Sequence, residues 1–143
     1  MENAMDALSV SGADSGQPAA ASTAMQIREH KFQDKILDVK VCGLIIAMKD
    51  SYIIWVGSSA ASFGSLDVAM MTSMDTMPIA SSLMGDASDA PGNAMAKRLS
   101  MKLKAQVFLS YALPSTQLEL QMGVERRLVQ ELNSISRAAT STA

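Results

Sequence analysis

The chain holds a single cysteine and a single histidine in 143 residues, and each scarcity closes off a class of chemistry. One cysteine cannot form an intramolecular disulfide. Cys42, in the apolar run VKVCGLII, reads as a small buried hydrophobe of a reducing compartment. No histidine lies nearby in sequence to activate its thiol. The one histidine, His30, sits in a charged stretch and has no companion imidazole for a metal. Long apolar runs are also missing: CGLIIAM and YIIWVG fall far short of the roughly 20 residues that span a bilayer. The opening MENAMDALSVSGADSG carries acids and no base, which fits neither a secretory signal nor a transit peptide. Cytoplasm or nucleus is the expected compartment, with no membrane partner. Charge is nearly balanced, 12 Lys and Arg against 14 Asp and Glu. No nucleic-acid partner held by phosphate contacts is expected.

The motif inventory is equally sparse. No Walker loop, G-x-S-x-G elbow, C-x-x-C pair or H-E-x-x-H helix occurs. No enzyme is expected, and no catalytic residue, cofactor or metal ligand is assigned.

What is present is an ordinary globular composition, 48% hydrophobic and 18% charged, at the length of one domain. Residues 1–24 are rich in Ala, Ser and Gly, with too little apolar periodicity to offset their ordering entropy, and read as a disordered tail. A domain is expected over 25–137, followed by a flexible C-terminus at 138–143. Leu37, Val39, Val41 and Ile45 alternate as one face of a strand whose other face turns apolar through Cys42, Leu44, Ile46 and Met48. Such a strand enters the middle of a sheet, and Gly43 marks a bulge or a close backbone approach within it. KDS at 49–51 makes a hairpin with a second strand at 52–56. Further strands are expected at 65–71 and 79–84, a helix at 91–104, and a strand at 106–113. Leu118, Leu120, Met122 and Val124 alternate as a sixth strand. Val124, Leu128, Leu132 and Ile135 then form the face of a final helix. The expected fold is α+β, a mainly antiparallel sheet of about six strands packed with two helices.

The stretch SSLMGDASDAPGNAMAKRL, 81–99, looks most like a working site because Asp86 and Asp89 share a glycine-rich loop. Paired carboxylates suit acid–base work or a metal, but the chain supplies no further ligands. A cap explains Asp89 without added assumptions, since Ser88 or Asp89 followed by Pro91 is how a helix starts. The loop reads as a strand-to-helix junction that could also contact a partner. The basic flank that follows, Lys97, Arg98, Lys102 and Lys104, is a solvated face or a surface that steers an acidic partner. Twelve methionines, with Met70, Met71, Met74, Met77 and Met84 bunched in the middle, suit an irregular core or an adaptable interface.

Several stretches in register resemble the fourth proteasome assembly chaperone family of eukaryotes: DSYIIWVGSSAASFGSLDVAM, DTMPIASSLMGDASD, AKRLSMKLKAQVFLSYAL and VERR. The markers include Trp55-Val56-Gly57, Ala69-Met70, Pro78, Ser82-Leu83, Gly85-Asp86, Arg98-Leu99, Ser110-Tyr111 and Val124-Glu125. The resemblance spans roughly Met25 to Ile135 and leaves the tail outside it. It implies a non-enzymatic chaperone that pairs with the third proteasome assembly chaperone. The pair would then help assemble the ring of proteasome alpha-type subunits of the 20S core. No motif carries the contact residues. An apolar sheet face with Trp55, Met70 and Met71 is expected to meet the partner chaperone, and a more polar surface with Asp86 and Lys97 an alpha subunit. A homodimeric scaffold of the same fold is the alternative.

Overall fold

The computed structural model describes residues 26–58, 62–85, 91–114 and 117–142, with side chains as far as residue 138. In chain order come β1 (Arg28–Ile36), β2 (Val39–Met48), β3 (Ser51–Gly57), β4 (Leu66–Met70) and β5 (Ile79–Met84). These are followed by α1 (Pro91–Leu103), β6 (Gln106–Ala112) and α2 (Leu118–Thr142). The six strands form one sheet in the order β1-β2-β3-β6-β4-β5. Every neighbouring pair is antiparallel except β3 with β6. The expected class is therefore present, but its membership differs at two places.

The first difference is β1, which REHKFQDKI conceals because charge falls on both of its faces. Its pairing partner explains it: Phe32 lies opposite Gly43 and Ile36 opposite Val39, so β1 adds an edge to the apolar β2. The joining turn is Leu37-Asp38, both at positive φ (51° and 65°), as a two-residue hairpin turn requires. Leu37 thus leaves the strand face assigned to it and stands exposed in the turn. At Gly43 the close approach is real, because a Cβ there would enter the Phe32 ring.

The second difference is residues 118–124, which begin α2 instead of forming a strand. Leu118, Leu120, Met122 and Val124 satisfy a period of two, yet only Leu120 and Val124 are buried. Together with Leu128, Leu132 and Ile135 they make one helical stripe, all of it core. Leu, Glu, Gln and Met are good helix formers, and no β-branched residue precedes Val124 to resist them. The helix continues to Thr142, beyond residue 137 where the domain was expected to end.

Both helices cover the same face of the sheet. That face contributes Val41, Ile45, Ile54, Val56, Ala69, Val107 and Leu109, packed with Met95, Ala96 and Leu99 of α1 and the stripe of α2. α1 stops at a left-handed Lys104 (φ 51°), and the Ala105 N–H reaches back to the Ser100 carbonyl at 3.4 Å, the bond of a Schellman cap. Polar contacts hold α2 to the β1 edge. Glu131 pairs with His30, and Arg127 pairs with Asp34 while lying over the Phe32 ring at 5.2 Å.

Candidate functional site: the open sheet face

The sheet has two faces, and both helices among the described residues lie on one of them. On the other, the pairing register sets Ile46 beside Ile53, Ile53 beside Phe108, and Phe108 beside Val68. A second row sets Leu44 beside Trp55 and Trp55 beside Ser110. Met70 closes β4 on this same face, opposite Ile79 of β5. Strands about 4.8 Å apart thus carry an apolar surface four strands wide. Its large side chains are half-buried and lie outside the core beneath the helices. Glu29, Lys31 and Lys35 of β1 border it on one side. β5 borders it on the other with no charged residue.

Trp55 is the anchor of this surface. Its ring lies along the strand over Gly57, where a Cβ would collide with it. Its indole N–H donates to the Ser62 carbonyl at 2.8 Å. With its one polar atom satisfied, the residue offers a fixed apolar ring. Ser110 beside it is buried, and its hydroxyl has no hydrogen-bond partner among the described residues. Cys42 belongs to the same face, as its contact with Gln33 of β1 shows, and is half-buried instead of lying in the core.

The expected contact residues fall in different places. Trp55 and Met70 share the open face. Met71 comes one residue after β4 ends, so the strand alternation that would set it against Met70 stops short of it. Lys97 is exposed on α1, in the helix layer on the far side of the sheet. Asp86, like Ser88 and Asp89, lies outside the described residues.

The polar groups of the helical side join one element to another. Arg98 grips Glu125 through a two-pronged contact, Nε at 2.9 Å and Nη2 at 2.7 Å. That hydrogen bond, before any longer-range attraction, raises the pKa of Arg98. Asp67 is a residue the sequence reading missed. It is buried on β4, accepts a hydrogen bond from the Ser82 hydroxyl, and lies under the start of α1. A Cβ on Gly92 would come within 2.5 Å of its Oδ2, so glycine lets the helix N-terminus settle over this carboxylate without displacing it, where the dipole favours it. An acid inside the apolar LDVAM was the available signal. Among the described residues no three His, Cys, Asp or Glu side chains gather to hold a metal.

Tyr111 shows what burial alone does. It is 7% exposed, its hydroxyl has no partner among the described residues, and burial pushes its pKa up to about 12 from 10.0. The folded protein therefore holds this proton more tightly than the unfolded chain, and stability falls as pH rises from about 10 to 12. Tyr111→Phe is expected to remove this part of the alkaline loss, on the order of 2 kcal/mol, in paired melting curves. At pH 7 the same variant should be neutral or slightly stabilised, since it deletes an unsatisfied hydroxyl.

Among the described residues the sheet thus carries helices on one face and an apolar surface on the other, the class of an α+β domain with a two-layer core. The family profile of proteasome assembly chaperone 4 matches residues 40–113. Proteasome assembly chaperone 4 of Homo sapiens is 33% identical over 105 residues, covering 73% of this chain and 85% of that protein. The Mus musculus protein is 30% identical over 118 residues, covering 82% and 95%. A solved chain of a chaperone complex for yeast 20S proteasome assembly shares the fold, with a TM-score of 0.51 over 81% of this chain and 96% of that one at 12% identity. The chain belongs to the proteasome assembly chaperone 4 family, and its role is that of a chaperone in proteasome assembly.

Proposed function

We propose that the chain acts as one half of a heterodimer with the third proteasome assembly chaperone, and that this pair helps build the alpha-subunit ring of the 20S core without catalysing any reaction. The observation that carries the reading is the apolar face of β2, β3, β6 and β4, with Trp55 and Met70 on it and no helix of the described residues over it. A surface of that breadth gains by being covered, and a partner presenting a matching sheet would cover it. The cytoplasm or nucleus is the proposed setting.

Assembly help of this kind is differential binding. The chaperone holds an intermediate more tightly than the finished particle, since only a difference in affinity shifts an equilibrium. The alpha-subunit surface is assigned to the junction before α1 and the start of that helix, with Asp86 and Lys97 as contact residues. Asp86→Ala combined with Lys97→Ala is expected to weaken alpha-subunit binding about three- to tenfold, read by calorimetric titration with the purified heterodimer. Unchanged affinity would remove these residues from the contact.

Co-expression with the third chaperone of the same organism, followed by size exclusion with light scattering, tests the pairing. A one-to-one complex is expected. A homodimer that ignores the partner would instead make the chain a self-associating scaffold of the same fold.

A further inference from the structure

α1 and α2 are pinned together where Arg98 meets Glu125, and beside that pin a shallow groove of about 580 Å³ opens on the helical side. Leu118, Met122 and Val129 give it an apolar lining, although the core-facing stripe of α2 makes no use of Leu118 or Met122. These two are 67% and 56% exposed. Over the same groove stand Lys102 of α1 and Arg126 of α2. Neither has an ion-pair partner among the described residues, whereas Arg98 is neutralised by Glu125. α1 carries Lys97, Arg98 and Lys102 and no acid at all.

We propose that this groove docks an acidic segment of a partner protein, with apolar side chains against Leu118, Met122 and Val129 and carboxylates beside Lys102 and Arg126. Charge decides the occupant. A second copy meeting this surface across a two-fold axis would set Lys102 and Arg126 against the same cations, and like charges facing each other repel. A nucleic-acid backbone would bring phosphates to Lys102 and Arg126 but no apolar side chain for the floor of Leu118, Met122 and Val129. An acidic, apolar protein segment satisfies both the cations and the floor. Met122 suits such a site because a flexible thioether adapts to differing side chains. The groove faces away from the open sheet face, so the two surfaces can be occupied together, and the inference does not depend on what covers the sheet.

The test uses the full chain and a fluorescein-labelled peptide of repeated Glu-Leu-Leu-Glu units, with a Lys-Leu-Leu-Lys counterpart, followed by fluorescence anisotropy. The acidic peptide is expected to bind, to weaken as salt rises, and to lose about tenfold in affinity in K102E/R126E. Met122→Gln should weaken it at constant charge. Equal binding of both peptides, or an unchanged acidic affinity in K102E/R126E with folding verified by circular dichroism, would overturn the proposal. E2Q/D6Q/D14Q is expected to leave the acidic peptide's affinity unaltered. Tighter binding in that variant would mean that the chain's own acids compete for the groove, which would overturn its assignment to a partner.

Discussion

Replacing Leu44 and Met70 together with lysine is expected to abolish the heterodimer while leaving the isolated chain folded. The two residues flank the open face on β2 and β4, on either side of Trp55 and Phe108. In the free protein both lysines can turn their ammonium groups into water along an apolar stem, so stability should move little. In the complex the same charges would be trapped between two apolar surfaces, at a cost of several kcal/mol per ion. A loss of about 4 kcal/mol already weakens binding roughly a thousandfold. Light scattering should show the double variant eluting without its partner, with an unchanged, cooperative urea transition. Met71→Lys alone is expected to do less, because Met71 lies past the end of β4.

The second large effect concerns the stretch whose local pattern misleads. Leu120→Ala is expected to cost about 2–5 kcal/mol, because Leu120 is fully buried. Met122→Ala should stay within about 0.5 kcal/mol, because Met122 projects into solvent. A strand at 118–124 would bury both side chains on one face and make the two costs similar. Denaturant titration of the two variants therefore separates helix from strand directly. A loss of that size is a large part of the stability of a domain this small, so the Leu120 variant should also melt many degrees lower.

The parts of the fold that were legible are those in which local pattern and tertiary environment agree. β2 alternates cleanly because it is central, with helices over one face and the open apolar surface on the other. α1 was legible from its apolar spacing, and the Arg98–Glu125 contact now shows why Arg98-Leu99 and Val124-Glu125 occur as separate markers. β1 was not legible because an edge strand needs little hydrophobicity of its own. Its charged side chains face water or pair with α2, and its register comes from β2 through the Leu37-Asp38 turn. The start of α2 was misread because a period of two and a stripe at i, i+4 share Leu120 and Val124. Only the continuation through Leu128 and Leu132 decides between them. That Trp55 and Met70 lie outside the core beneath the helices was readable, because adjacent apolar strands held more side chains than one core could absorb. Asp67 was missed because nothing in LDVAM reveals that a helix N-terminus will settle above it.

Cys42 lies on the open face, it is the chain's only thiol, and it is half-buried in the free protein. Its alkylation can therefore report whether a partner covers that face. Mass spectrometry of the Cys42 peptide after timed exposure to N-ethylmaleimide, with and without the third assembly chaperone, is the measurement that most directly tests the account. Slowing by at least about tenfold in the complex is expected if the face is covered, since the reagent would then need dissociation or local opening to reach the sulfur. The same rate in both states, in a complex shown to be intact, would place the partner elsewhere and contradict the account.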